Sequence, residues 1–170
     1  NLLSPYAATK AIDEIYAGVF TRCYGMECIG LRYFNIFGPR QDPHGPYAAV
    51  IPKFIELMKK GEKPLINGDG SYSRDFTYVE NAVQANILAL TTENEKCFGQ
   101  AFNIGAEGQT TLVELIKEIQ ESLQTTIEPI FGPLRPGDIP HSNANITKAT
   151  AMLGYDPKIS FKEGMRKYMS

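Results

Sequence analysis

The stretch ECIGLRYFNIFGPR, residues 27–40, passes from a strand pattern into a loop marked by glycine and proline. Residues 27–33 predict a short β-strand, and residues 34–47 predict a loop because glycines and prolines interrupt regular periodicity there. In open α/β sheets, ligands bind beyond the carboxyl ends of the strands. Asn35, which comes just after this strand, is therefore a candidate ligand-binding residue.

A helix is predicted immediately before this strand, over residues 6–24. Ser4 can serve as its N-cap, Pro5 suits the first helical position, and Gly25 suits the C-terminal cap. The chain therefore opens with a helix followed by a strand.

Strands and helices continue to alternate along the rest of the chain, which indicates an α/β or α+β layer architecture. Thr111 and Glu114 have the spacing of a capping box at the start of one helix. Residues 132–143 predict a proline-rich loop. The further predicted strands are residues 64–67, 75–79, 101–104 and 127–131, and the further predicted helices are residues 48–60, 80–91, 112–124, 147–153 and 161–169.

The composition disfavours several classes of protein. The 170 residues suffice for a domain with its own core, and a net charge of −2 without a run of Lys or Arg disfavours a nucleic-acid partner. No apolar stretch is long enough to span a membrane, and we expect no signal peptide. Cys23, Cys28, Cys97, His44 and His141 lack metal-ligand spacing. We therefore expect no metal site, two loop histidines, and reduced cysteines in a cytoplasmic protein.

Tyr6 and Lys10 lie four residues apart on the first predicted helix, so their side chains share one face. A phenol is a poor base at neutral pH, because its ordinary pKa is about 10. A nearby ammonium favours the phenolate, and such a pair can act as a general acid/base toward a sugar hydroxyl. The spacing alone equally fits a pair on the helix surface without a role.

Several motifs, in order along the chain, together resemble the extended short-chain dehydrogenase/reductase family that acts on nucleotide sugars. The resemblance extends over the whole chain. It implies an α/β fold made of the C-terminal part of a Rossmann-type domain and a smaller α/β substrate-binding domain. The motifs are SPYAATK (4–10), LRYFNIFGPR (31–40), INGDG (66–70), SRDF (73–76), FNIG (102–105), RPGD (135–138), LGYDP (153–157) and FKEG (161–164).

The domain boundaries implied by this resemblance fall within the first loop. Residues 1–47 would be the remnant of the dinucleotide-binding domain, with the helix that carries Tyr6 and Lys10. Residues 48–170 would be mostly the substrate-binding domain, with some segments returning to the Rossmann sheet.

Within the family, QDP (41–43) and YAAVIP (47–52) are most similar to UDP-N-acetylglucosamine 4-epimerases. This similarity implies an NAD-dependent 4-epimerase of UDP-N-acetylhexosamines, with UDP-glucose and UDP-galactose as further candidate substrates, that works through a 4-keto intermediate. Two alternatives stay open: a nucleotide-sugar 4,6-dehydratase of the dTDP-glucose type, and a non-catalytic nucleotide-sugar-binding fragment. Asp138 favours the epimerase, because dehydratases usually have His after the Arg-Pro-Gly.

The resemblance also implies roles for the matching residues. Tyr6 would be the general acid/base and Lys10 its partner. Both would contact NAD, and Ile36 would line the nicotinamide site. The small side chain of Ser142 would leave space for an N-acetyl group. Six positions would bind the diphosphate, the uracil and its ribose: Asn35, Val50, Asn67, Arg74, Arg135 and Asp138.

Two departures from the family pattern qualify these expectations. Gln109 stands where related epimerases often have Arg. The glycine-rich strand–turn–helix fingerprint of dinucleotide-binding proteins does not occur in the sequence, and the first residue is not Met. We therefore expect a C-terminal fragment, inactive alone, of an enzyme that forms homodimers at full length.

Overall fold

The computed structural model describes residues 5–44, 49–135 and 137–169. Within them, helices and strands alternate as the sequence predicts. The helices are α1 (Pro5–Tyr24), α2 (Val50–Lys59), α3 (Val79–Thr91), α4 (Leu112–Leu123), α5 (Thr147–Leu153) and α6 (Phe161–Met169). The strands are β1 (Ile29–Tyr33), β2 (Ile36–Phe37), β3 (Leu65–Asn67), β4 (Ser73–Arg74), β5 (Thr77–Tyr78), β6 (Gln100–Ile104), β7 (Thr110–Thr111), β8 (Ile130–Gly132) and β9 (His141–Ser142).

Most strand pairs are parallel, which confirms the α/β class. β1 pairs with β6 from Ile29↔Gln100 to Tyr33↔Ile104, β2 pairs with β5, and β3 pairs with β8. β4 is the central strand of a three-stranded sheet, antiparallel to β7 and parallel to β9. Parallel strands need crossover connections, and helices provide them here.

Two groups of buried apolar side chains form the core. The first joins α2, α4 and α6 around Phe37, Phe54 and Ile66. The second joins β6 and α5 around Phe102, Ile104 and Leu153. In α2 and α4 the apolar residues follow helical periodicity and face the first core, which is the reason both helices could be predicted.

The ends of several helices match their predicted caps. Gly25 has a φ of +67° after α1, which is the left-handed conformation that favours glycine. Thr111 and Glu114 form the predicted capping box: the Thr111 hydroxyl accepts from the Glu114 N–H, and the Glu114 carboxylate accepts from the Thr111 N–H. Ser4, the predicted N-cap of α1, lies outside the described residues.

The short strands are where the sequence-based prediction is wrong. Residues 75–79 do not form one strand: β4 ends at Arg74, Asp75 and Phe76 turn into the core, and β5 begins at Thr77. β2, β4, β7 and β9 lie in segments without a predicted strand, and β8 begins at Ile130 rather than at residue 127. Strands of two or three residues are too short for alternation to be visible in the sequence.

In the described part of the chain, no helix combines the length and the apolar character needed to cross a membrane. No group of three or more His, Cys, Asp or Glu side chains among the same residues could hold a metal ion. The domain boundary near residue 47 stays a prediction.

Candidate functional site

Tyr6 and Lys10 lie one turn apart near the start of α1, on a face open to solvent. The Tyr6 side chain is 67% exposed, and the Lys10 Nζ lies 5.8 Å from the centroid of its ring. Lys10 also donates to the Asp13 carboxylate over 3.0 Å. This hydrogen bond, together with the charge of Asp13, raises the pKa of Lys10, so the lysine remains a cation beside the phenol.

Asp13 is a part of this site that sequence reasoning missed. Its spacing of three residues from Lys10 on a helix was the available signal. Because the carboxylate neutralises part of the ammonium charge, it reduces the field that Lys10 exerts on the Tyr6 hydroxyl. A ligand hydroxyl that replaced Asp13 as partner of Lys10 would restore that field.

A cavity of about 570 Å³ opens beside the pair, between α1 and β1. Its wall includes the ion pair between Arg32 and Glu14, in which the guanidinium donates to both carboxylate oxygens over 2.6 and 2.5 Å. This bidentate contact lowers the pKa of Glu14, against the opposing effect of its partial burial. The cavity is lined by Tyr6, Lys10, Asp13, Glu14, Ala17 and Gly30–Tyr33.

The residues of this cavity fit one end of a dinucleotide. The Tyr6 hydroxyl and the Lys10 ammonium are hydrogen-bonding groups on residues one helical turn apart, and such groups can hold a ribose. A dinucleotide would need further residues to hold its pyrophosphate.

Asn35, Ile36 and Val50 come together around a second, smaller cavity of about 80 Å³. Asn35 has a φ of +35°, a conformation that non-glycine residues seldom adopt, although Asn tolerates it better than most. Its carbonyl accepts from the Thr77 N–H over 3.2 Å, which holds the bend between β1 and β2. The exposed Asn35 side chain thus lies at the carboxyl end of β1, as the sequence predicts.

Arg74 and Ser142 are directly opposite each other on the neighbouring strands β4 and β9. One terminal nitrogen of Arg74, Nη1, donates to the Ser73 carbonyl over 2.8 Å and to the Pro140 carbonyl over 3.3 Å. The protein therefore fixes one corner of the guanidinium. A bidentate contact to an anion would use the remaining N–H groups.

His141 does not lie in a loop as predicted, because it forms β9 with Ser142. Its Nδ1 lies 2.9 Å from the Ser73 Oγ, and this contact joins β9 to β4 beside Arg74. His44 lies outside the helices and strands, as predicted, and its N–H donates to the Asp42 carboxylate over 2.8 Å.

Asn67, Arg135 and Asp138 lie at or beyond the ends of the paired strands β3 and β8. Asn67 ends β3 opposite Gly132. Arg135 and Asp138 are exposed, and the Asp138 N–H donates to the Arg135 carbonyl over 3.3 Å. Neither side chain forms a hydrogen bond or an ion pair with the described residues, so both can meet a ligand. Pro136, between them, lies outside the described residues.

The structure thus groups the predicted site residues into separate sets. Tyr6 and Lys10 line the large cavity, while Asn35, Ile36 and Val50 surround the small one. The others lie on short strands or just after them: Asn67, Arg74, Arg135, Asp138 and Ser142.

These features define an α/β protein with a Tyr–Lys pair at the mouth of a cavity, Arg74 on β4 and Arg135 after β8. Residues 1–105 match the NAD dependent epimerase/dehydratase family. The chain belongs to this family, and its relatives are enzymes.

Two solved structures are similar over nearly the whole chain. The UDP-N-acetylglucosamine 4-epimerase from Methanobrevibacter ruminantium M1, in complex with UDP-N-acetylmuramic acid, is 41% identical with a TM-score of 0.91, and the match covers 98% of this chain and 53% of that one. The UDP-glucose 4-epimerase from Thermotoga maritima, with UDP-glucose, is 41% identical with a TM-score of 0.91, covering 98% and 52%. This likeness confirms the Rossmann-type fold.

A curated relative is also similar in sequence over nearly the whole chain. The UDP-glucose 4-epimerase of Mycolicibacterium smegmatis is 36% identical over 167 residues, which are 98% of this chain and 52% of the relative. The chain therefore spans about half the length of the relatives it matches.

Proposed function

We propose that the chain is the C-terminal part of an NAD-dependent 4-epimerase of UDP-N-acetylhexosamines, with UDP-glucose and UDP-galactose as further candidate substrates. The observation that carries the reaction is the Tyr6–Lys10 pair, one turn apart on α1 and open to a cavity. The 41% identity to a UDP-N-acetylglucosamine 4-epimerase supports the substrate class.

In the proposed mechanism, Tyr6 accepts the proton of the sugar O4 hydroxyl and later returns it. Lys10 stabilises the phenolate through its ammonium charge and holds the nicotinamide ribose, while Ile36 lines the nicotinamide site. NAD, held by Lys10 and lying against Ile36, would supply reversible hydride transfer at the sugar C4. The 4-keto sugar rotates between the two transfers, so that the configuration at C4 is inverted.

The proposed ligand contacts follow from the chemistry of the side chains. Arg74 and Arg135 bind the diphosphate, because a guanidinium offers paired donors to phosphate oxygens. Ser142, opposite Arg74, leaves room for the N-acetyl group. The uracil and its ribose are bound by Asn35, Val50, Asn67 and Asp138.

We propose that this activity belongs to a longer protein, since the relatives are about twice as long as this chain. The missing glycine-rich turn would lie in the rest of that protein, and the chain alone would be inactive. Full-length molecules would form homodimers through α1, whose exposed side includes Ile12, Tyr16 and Phe20. We place the protein in the cytoplasm, with neither nucleic acid nor membrane as a partner.

Proton NMR of UDP-N-acetylglucosamine, incubated with NAD and the longer gene product that contains this chain, tests the proposal. Appearance of the C4 epimer supports both the reaction and the acceptance of the N-acetyl group. A 4-keto-6-deoxy product would instead show a 4,6-dehydratase. An unchanged spectrum, with UDP-glucose unchanged as well, would contradict the epimerase assignment.

A further inference from the structure

Asp75 is a fully buried carboxylate at the junction of three chain segments. Its exposed fraction is 0%, and its two oxygens accept the backbone N–H groups of Ala106, Glu107 and Ala144 over 3.0, 3.0 and 3.1 Å. The Thr77 hydroxyl donates to the same carboxylate over 3.3 Å. Hydrogen bonds to an ionised acceptor are stronger than neutral ones, so these donors hold the segments firmly.

The Asp75 carboxylate fits against the backbone at residue 105 only because this residue is glycine. A Cβ atom at Gly105 would collide with the Asp75 carboxylate and with the side chain of Ala144. The Gly105 carbonyl accepts from the buried Tyr155 hydroxyl over 2.8 Å, on the far side of the turn. Burial and the negative charge of Asp75 raise the pKa of Tyr155, so this hydroxyl remains a donor.

The segments that Asp75 joins carry the proposed diphosphate and N-acetyl contacts. Arg74 directly precedes Asp75, and the Asp75 N–H donates to the Ser142 carbonyl over 2.8 Å. The Ala144 N–H bond to the carboxylate fixes the chain just after Ser142. One residue thus holds β9 against β4 by both its backbone and its side chain.

We infer that Asp75 is a positioning residue for the nucleotide-sugar site, and this inference rests on the proposed function. Its carboxylate fixes the position of β9 relative to β4, and with it the distance between the Arg74 guanidinium and the Ser142 side chain. The Arg74 Nη1 is itself bound to the Pro140 carbonyl, so a shift of β9 also turns the guanidinium. Such a shift weakens the diphosphate contact, because paired N–H donors require a defined geometry.

The Asp75→Asn variant tests this role. The Asn side chain has nearly the same shape, but one carboxylate oxygen is replaced by an NH2 group, which cannot accept a hydrogen bond from the backbone N–H groups. Asn81→Asp is the matched control. Asn81 is only 2% exposed. Its side-chain amide donates to the Ile159 carbonyl over 2.8 Å and accepts from the Ile159 N–H over 3.1 Å, which joins α3 to that segment. Both variants exchange an amide and a carboxylate at a buried position, but the hydrogen bonds of the Asn81 side chain go to Ile159, which is not a proposed ligand residue.

The measurement is the Kd of UDP for the longer gene product with NAD bound, at a temperature where each variant is folded. We expect Asp75→Asn to raise the Kd about tenfold, the effect of losing one charge-assisted hydrogen bond, and Asn81→Asp to leave it within about twofold. The KM of the UDP-sugar should rise with the Kd while kcat changes little, because Tyr6 and Lys10 lie on α1.

An unchanged Kd in Asp75→Asn, or an equal rise in Asn81→Asp, would overturn the inference. If Asp75→Asn does not fold, Thr77→Val removes one donor from the same carboxylate and should raise the Kd about fivefold, beyond the range expected for the control. An unchanged Kd in that variant also overturns the inference. If the unaltered protein binds no UDP, both the proposed function and the inference about Asp75 fail.

Discussion

At the residue scale, the proposed reaction depends on the hydroxyl of Tyr6. We expect Tyr6→Phe to reduce kcat about 10³-fold, because proton transfer at O4 loses its acid/base. The Kd of UDP should change little, since the proposed diphosphate contacts come from other residues. Tyr16→Phe is the matched control: it lies on the same helix, is 61% exposed, and should keep normal activity. Near-normal turnover of Tyr6→Phe would remove Tyr6 from the mechanism.

Ser142 carries the second residue-scale prediction. A tyrosine at this position would project from β9 beside Arg74 and fill the space proposed for the N-acetyl group. We expect Ser142→Tyr to lower kcat/KM for UDP-N-acetylglucosamine by at least about tenfold while activity toward UDP-glucose is kept. The ratio of the two kcat/KM values is the measurement. An unchanged ratio would show that Ser142 does not control substrate choice.

The sequence predicts single residues well when their partners are close along the chain. Tyr6 and Lys10 are four residues apart, and helical geometry places them together. Asp75 could not be predicted in this way, because its three backbone N–H donors lie 31, 32 and 69 positions further along the chain. Its burial is a consequence of the tertiary structure, and the sequence shows only an acidic residue next to Arg74.

At the scale of elements, α4 shows how a helix end responds to pH. The Thr111 N–H and hydroxyl both donate to the Glu114 carboxylate and hold the pKa of Glu114 below its ordinary value of 4.5. A lowered pKa means that the stabilisation is fully present above the unfolded-state pKa. It is lost as the pH falls through the folded-state pKa.

We therefore expect Glu114→Gln to lower the free energy of unfolding near neutral pH but not at pH about 2, where Glu114 is protonated in both states. Denaturant unfolding at several pH values measures the difference between the two proteins. Glu121→Gln, in the last turn of the same helix, is the control for the loss of a carboxylate that has no hydrogen bond to Thr111. A pH-independent difference for Glu114→Gln would contradict the proposed cause.

The long elements were predictable and the short ones were not. The helices α2 and α4 present a continuous apolar face to one core, so periodicity located them within about two residues. β4, β7 and β9 have two residues each and exist because backbone groups from distant segments pair. That pairing places Ser142 opposite Arg74, a relation that no local pattern indicates.

At the scale of the whole molecule, exposed apolar side chains on α1 carry the prediction of a homodimer. Ile12, Tyr16 and Phe20 recur at intervals of four residues, and all three are exposed in this chain. Exposure of such an apolar row to water is unfavourable, so we expect another surface to cover it in the complete protein. A second copy would cover it by symmetry, since the same row meets itself in a two-fold interface.

Tyr16→Arg in the longer gene product should then convert the dimer to a monomer, because two arginines would face each other near the two-fold axis. Sedimentation velocity measures the mass. Leu90→Arg is the control, because Leu90 is 86% exposed on α3, a different helix, and its replacement should leave the dimer intact. A Tyr16→Arg protein that still sediments as a dimer would place the interface elsewhere. Loss of the dimer in Leu90→Arg alone would move it to α3.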